Sequence, residues 1–176
     1  MEIKLHSRDL LLRALEPDDL PYFMRVENDP QLWSVCDTRI PFSRFTLERV
    51  LEARVPDFFA DRQLRLMIEN GNRQVVGIVD LCSFDPLHNR AEVGIMVDKS
   101  CRRQGIGRNA LALLEEHCFR YLGIHQLFAY IAVENLPSRR LFAACGYKES
   151  AVLKEWAHTF GGGYTDVLVV QKLNLS

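Results

Sequence analysis

The sequence lacks several features, and each absence narrows the function. No apolar run approaches the roughly 18 residues that a membrane-spanning helix needs. No charged, apolar and small-residue leader is present either, so a cytoplasmic protein with no membrane role is the default expectation. The five cysteines (Cys36, Cys82, Cys101, Cys118, Cys145) are odd in number and contain no C-x-x-C pair. That argues against a zinc ribbon or a thioredoxin-type site and for free thiols in a reducing compartment. The formal net charge is −1, without the strongly basic balance expected of a nucleic-acid binder. The five histidines show no metal-ligand spacing. Repeats, low-complexity tracts and linkers are absent too. What remains is 176 residues, 48% hydrophobic and 26% charged, the balance of one soluble domain spanning 1–176 and able to bury a core.

The stretch Ala91 to Ala110, AEVGIMVDKSCRRQGIGRNA, organises the rest. Val93, Ile95 and Val97 alternate with Glu92, Gly94 and Met96, the period of two of a strand. A polar, basic loop follows from Asp98 to Gln104, and a helix restarts with Gly105, Ile106 and Gly107 in its first turn. Glycines at a helix start leave main-chain N–H groups uncovered, where the helix dipole is positive. Arg102, Arg103 and Arg108 add fixed cations. Together these form a receptor for a di-anion such as a pyrophosphate. Gly105-x-Gly107-x-x-Ala110 also fits a dinucleotide-fold fingerprint as a string. In that fold, however, the first glycine follows directly on a buried strand, and here Lys99 to Gln104 intervene.

The rest of the chain reads as strands and helices in mixed order. Strands are expected over Leu10–Leu15, Leu64–Glu69, Gln74–Phe84, Gln126–Val133, from Tyr147, and over Tyr164–Leu173. Asn70-Gly71-Asn72 is a hairpin signal, because asparagine and glycine accept positive φ. Pro17-Asp18-Asp19 opens a helix carrying Leu20, Phe23, Met24 and Val26, which ends at Asn28-Asp29-Pro30. Ser43 or Thr46 starts another, carrying Leu47, Val50, Leu51 and Val55, which Pro56 closes. The helix after Gly107 has Ala110, Leu111, Leu114, Cys118, Tyr121 and Leu122 on one stripe, with Glu115 and Glu116 off it and Gly123 as its stop. Ser138–Ala144 is a short helix. The expected fold class is α/β (α+β): a central, mixed, mostly antiparallel sheet with helices on both faces.

Arg102-x-x-Gly105-x-Gly107 resembles the acetyl-CoA loop of the GNAT superfamily of N-acetyltransferases. Asn135-Leu136-Pro137-Ser138 and Cys145-Gly146-Tyr147 resemble two further family signatures at the usual distances. The nearest pattern is the ribosomal-protein-alanine and spermidine acetyltransferase branch, over roughly Leu10 to Leu173. The resemblance implies acetyl-CoA as co-substrate. Its pantetheine arm would lie along Ile95, Met96 and Val97, and its pyrophosphate on the amides from Arg103 through Gln104, Gly105, Ile106 and Gly107 to Arg108. Asn135 either caps the next helix or reaches the pantetheine amides. The implied reaction is attack of a primary amine on the thioester through a tetrahedral intermediate. The acceptor would be a protein N-terminus, a polyamine or a small-molecule amine. Relatives are often dimers, so a homodimer is a further expectation.

An amine with a pKa near about 10.4 must lose a proton before it attacks. Glu92, a carboxylate inside an apolar strand, is the expected base and also a substrate contact. Ser138 is the expected donor to the leaving sulfur, or else an ordinary helix-start residue. Phe142 stands beside the cofactor, where many relatives place a tyrosine acid, so Tyr147 or water could supply the proton instead. Tyr147 alternatively packs in the core. His158 is a second candidate base or a surface residue of a hairpin. Acceptor selection is expected from residues 28–45 and the Glu155–Tyr164 hairpin, with Trp33, Asp37, Trp156 and Tyr164 as candidate contacts. The missing tyrosine also motivates an alternative, an acyl-CoA-binding module with weak catalysis.

Overall fold

The computed structural model describes residues 5–7, 9–32, 40–52, 57–159 and 161–175. Trp33, Asp37, Cys36, Val55 and Pro56 lie outside the described residues. The elements are β1 (His6–Ser7), β2 (Leu10–Arg13), α1 (Leu20–Glu27), α2 (Arg44–Glu52), α3 (Phe58–Asp61), β3 (Leu64–Asn70), β4 (Val75–Asp85), β5 (Arg90–Val97), α4 (Ile106–Arg120), β6 (Gln126–Ala132), α5 (Leu136–Ala144), β7 (Lys148–His158) and β8 (Tyr164–Leu173). The strands form one sheet in the order β1-β2-β3-β4-β5-β6-β8-β7. Its pairs are antiparallel except β5 with β6, which run parallel across the connection through α4.

Alternation decides which face each residue takes. On one face Leu66, Ile68, Val79, Leu81, Ala91, Val93, Leu127, Ala129 and Ile131 pack with Ala110, Leu111, Leu114 and Cys118 of α4 and Phe142 of α5 in a single apolar cluster. On the other, Met67 and Ile78 pack under Val26 of α1, with Met96 against them. Leu20 and Phe23 of α1 meet Leu47 of α2 beyond. The layered α/β architecture with helices on both faces is the expected one.

Local departures have physical causes. Pro17–Asp19 forms a 3-10 turn ahead of α1, closed by Glu16 N–H donating to Asp19 Oδ2 at 2.8 Å. In the β3–β4 turn the left-handed residue is Arg73 (φ 59°), not Gly71 or Asn72. Asn70 Oδ1 accepts from the amides of Asn72 and Gln74, 3.0 Å each, and so shapes the turn from its first residue. Val50 is 53% exposed rather than buried, since α2 buries only the narrow stripe centred on Leu47. Glu115, expected off the buried stripe of α4, is 6% exposed. Lys172 of β8 donates to its Oε2 at 2.5 Å, which makes that position tenable.

Candidate active site

The parallel pairing decides where the sheet opens. β5 pairs with β4 along its length, from Arg90 to Val97. With β6 it pairs only through Arg90, Ala91 and Glu92, opposite Gln126, Leu127 and Phe128. Beyond that point the two strands part. The backbone edge of β5 from Val93 to Val97 then faces a gap, and its hydrogen-bonding groups have no strand partner there. Buried main-chain groups demand partners, so a chain-like, amide-bearing molecule laid in the gap can complete the ladder. Ile95, Met96 and Val97, the residues expected to take the pantetheine arm, line this edge.

The start of α4 closes the gap at its far end. Gly105 is the N-cap, left-handed at φ 80°, and Arg103 before it is left-handed at φ 62°. The first amide drawn into the helix is that of Asn109, which donates to Gly105 O at 3.0 Å. The amides of Gly105, Ile106, Gly107 and Arg108 meet no protein acceptor among the described residues, the condition for holding an anion. Arg102 Nε donates to Val97 O at 2.9 Å, and Gln104 Nε2 to Ser100 O at 3.2 Å. Arg102 thus fastens the loop to the end of β5 while keeping its guanidinium charge beside the amides. Gly107 differs from Gly105: a Cβ there would meet the end of the Leu141 side chain of α5, Cδ2 at 3.2 Å.

The loop has a second fastening that the sequence did not suggest. Asp98, where β5 ends, accepts from Tyr22 Oη at 3.1 Å and from Arg25 Nη2 at 3.0 Å, both on α1. Burial, then Asp98, pushes the Tyr22 hydroxyl well above its usual range, so it stays a donor.

Glu92 is half-buried on the α1 face of β5, beside the last paired residue of β6. Ser83 Oγ lies 3.5 Å from its Oε2. Gly94 next along leaves the face low, the nearest atom to an added Cβ being Asp80 Cβ at 3.7 Å. Arg65 neutralises Asp80 through Nε and Nη2 at 2.8 and 2.9 Å and also meets Glu27. Among the described residues Glu27 and Asp80 thus flank the Arg65 guanidinium, with Glu92 further along the same face.

Asn135 caps α5: its Oδ1 accepts from Ser138 N–H at 3.2 Å. Of the two expected roles the cap is the one seen. Ser138 stands half-buried at the start of α5, just past the open end of β6. One expectation, for Phe142, needs correction, and of the two readings of Tyr147 the core position is the one seen. Phe142, expected beside the cofactor, is 3% exposed and packs edge-on to Tyr147, with centroids 4.8 Å apart and planes at 84°. Its ring belongs to the core. Tyr147 is 4% exposed, on the α4 side of the sheet. Lys172, which stacks on its ring, pairs with Leu127 where β5 and β6 are still joined. Burial, then Glu115, raises the Tyr147 hydroxyl far above its normal range. Its Oη and Glu115 Oε1 are both buried without a hydrogen bond of good geometry, and the Glu115 carboxylate opposes ionisation of the hydroxyl.

His158 and Tyr164 pair across the β7–β8 hairpin, rings edge-on at 5.5 Å, and both are exposed. The hairpin borders the open end of β6, where Val133 N–H donates to Asp166 O at 3.1 Å. Phe128 and Tyr130 were not singled out from the sequence, yet they stand on the same face as Glu92. The signal was the alternation of Leu127, Ala129 and Ile131 inward, which leaves the two aromatic residues outward.

Comparison with known proteins agrees with this geometry. The acetyltransferase (GNAT) domain profile matches residues 9–148. A spermidine N(1)-acetyltransferase of Vibrio cholerae is 27% identical over 162 residues, 92% of this chain and 91% of that protein. The crystal structure of spermidine N-acetyltransferase from Vibrio cholerae in complex with CoA and spermine superposes with a TM-score of 0.82 at 26% identity, covering 96% of this chain and 97% of that one. A dodecameric structure of the Vibrio cholerae enzyme in an intermediate state gives a TM-score of 0.77 at 25% identity, covering 96% and 95%. The chain belongs to the GNAT acetyltransferase family. It is an enzyme that moves an acetyl group from acetyl-CoA to an amine.

Proposed function

We propose that the acceptor is a polyamine, and that transfer takes place where β5 parts from β6. The carrying observation is that parting, with a free main-chain edge on one side and the uncapped amides of α4 at its end. The carboxylates on this face, Glu27, Asp80 and Glu92, support a cationic acceptor, as do the polyamine-acetylating relatives. The residues fit acetyl-CoA: Ile95 to Val97 offer the edge for its pantetheine amides, and Arg103 to Arg108 offer N–H groups and guanidinium charge for its diphosphate. When bound, it supplies an activated acetyl group on a thiol leaving group.

Glu92 takes a proton from the acceptor ammonium, directly or through water, and frees its lone pair. Main-chain N–H groups on the open edge of β5 stabilise the negative charge that develops on the acyl oxygen. Ser138, its backbone held by Asn135, is the donor that delivers a proton to the departing sulfur. With Phe142 and Tyr147 in the core, it is the hydroxyl at the mouth that we assign this task. His158 and Tyr164 border the acceptor at the rim, and Asn135 holds the turn beside it. The dodecameric relative supports a homo-oligomer.

The test is thiol release from acetyl-CoA across spermidine, spermine, N-terminal peptides and small monoamines. Spermidine and spermine are expected to turn over fastest. Tight CoA binding with no thiol released from either polyamine would remove the assignment.

A further inference from the structure

We propose that Phe128, Tyr130 and Trp156 form the surface that selects the acceptor, by holding the methylene chain and second ammonium of an extended aliphatic amine. The inference rests on the acetyl-transfer reading above and adds which side chains choose among amines.

β6 has two unlike faces. Leu127, Ala129 and Ile131 are 0, 2 and 4% exposed beneath α4. Phe128 and Tyr130 point the other way, to the face of Glu92, because Glu92 and Phe128 are register partners in a parallel pair. Tyr130 is 45% and Trp156 61% exposed. Their rings stack with centroids 6.4 Å apart and planes at 21°, and Phe128 meets Tyr130 edge-on at 5.6 Å. The three rings form a row that starts beside Glu92 and runs outward across the sheet.

The backbone is bent to put Trp156 there. Leu153 pairs with Val167 and Ala157 with Thr165, so this stretch of β7 holds two more residues than β8 opposite. The bulge turns on Glu155 in the left-handed region, φ 47°, an uncommon conformation for glutamate. Asp166 pins it, accepting from Glu155 N–H at 2.9 Å and from Lys154 Nζ at 2.7 Å. A tryptophan recruited for packing would be covered. Here a fastened bulge holds one in the open, continuous with the site.

The charges around the row favour a cation. Glu92 stands at its inner end. Glu134, at the end of β6, accepts from the Thr165 hydroxyl at 2.6 Å and meets no basic side chain among the described residues. The nearby Lys154 is held by Asp166. An ammonium over the Tyr130 or Trp156 ring gains from the ring quadrupole, and methylenes gain by covering the aromatic faces. A short monoamine reaches Glu92 without touching Trp156.

The test uses the full chain with saturating acetyl-CoA, with spermidine and n-butylamine as acceptors. Trp156→Ala and Tyr130→Ala are expected to raise the KM for spermidine about five- to thirtyfold. The kcat should stay within about twofold, as should kcat/KM for butylamine and the KM for acetyl-CoA, and Trp156→Phe should restore most of the spermidine affinity. An unmoved spermidine KM in both alanine variants overturns the proposal, as does an equal loss for spermidine and butylamine. A second measurement is independent of turnover. In a Trp33→Phe background Trp156 is the only tryptophan, and spermidine should change its emission saturably. A flat titration overturns the aromatic row even if wild-type turnover is normal. Absence of thiol release from every amine would instead remove the acetyl-transfer reading, while the emission titration still decides whether the row binds spermidine.

Discussion

Gly105 and Gly107 are both glycines of one motif, and the structure assigns them unequal sensitivities. Gly105 sits at φ 80° with nothing within 4 Å of an added Cβ, so a side chain has room but the backbone angle opposes it. Placing an L-residue in that region costs about 1–2 kcal/mol. Gly107 is helical, and replacing a helical glycine with alanine recovers about 0.8–1.0 kcal/mol. Against that gain stand Leu141 Cδ2 at 3.2 Å and Cδ1 at 3.5 Å, the far end of a side chain that can shift. The two effects nearly cancel. At about 2–4 °C per kcal/mol for a chain of this size, Gly105→Ala should lower the unfolding midpoint by about 2–8 °C. Gly107→Ala should leave it within about 2 °C. Thermal unfolding of the three proteins without ligand reads this directly. Repeating it with CoA asks a second question, because straining the left-handed cap disturbs the amides that follow it. The stabilisation that CoA confers should therefore fall in Gly105→Ala as well. A Gly105→Ala protein that melts at or above wild type would refute the left-handed cap, and a larger loss at Gly107 would refute the ranking.

Four further outcomes follow from the geometry. Replacing Arg102 and Arg103 together with alanine should weaken CoA binding, each charge-assisted contact contributing about 1.5–3 kcal/mol; unchanged affinity by calorimetry would disconnect the loop from the diphosphate. Glu92→Gln should cut turnover near neutral pH and regain part of it at higher pH, where the amine deprotonates unaided; a loss independent of pH would make Glu92 a positioning residue. Burial alone would raise the Asp19 carboxyl, but Arg13, bonded to it at 2.7 and 2.9 Å, and the Glu16 amide outweigh it and hold it below its ordinary value of 3.8. Because the folded value lies below the unfolded one, its stabilisation is present above about pH 4 and fades as pH falls through the folded value. Asp19→Asn should thus cost about 2–3 kcal/mol at pH 7 and progressively less below pH 4, as denaturant titrations at several pH values will show. Lys172→Met leaves Glu115 buried without its cation and should cost about 3–5 kcal/mol, most of it recovered by adding Glu115→Gln; the absence of recovery would mean that the ion pair is not what Lys172 supplies.

The fold class was legible because periodicity survives in single segments. The alternation in Ala91–Val97, the apolar stripe of Ala110–Cys118 and the glycine stop at Gly123, which is left-handed at φ 66°, each encode their own local geometry. The glycine turn at the start of α4 was legible for the same reason, as it is built from adjacent residues. What could not be read depends on distant partners. The periodicity of β5 says nothing about where β6 leaves it, so the extent of the opening appears only in the register. Glu115 looked solvent-facing because its partner Lys172 lies 57 residues away. Phe142 and Tyr147 have the composition of site residues, and the direction they point is decided by how α5 packs. Trp156 owes its aim to a bulge that no turn motif announces. Strand β1 and helix α3 were passed over because two and four residues are too few to show a period.

The three-residue contact between β5 and β6 also bears on how the molecule coheres. The sheet is in effect two antiparallel slabs, β1 through β5 and β6 through β8, riveted at one corner and strapped by α4. Past the rivet, lateral continuity of the ladder depends on whatever lies between the slabs. A coenzyme laid in that seam, as proposed, would work as a splint as well as a reagent, stiffening the very joint across which its acetyl group is handed over.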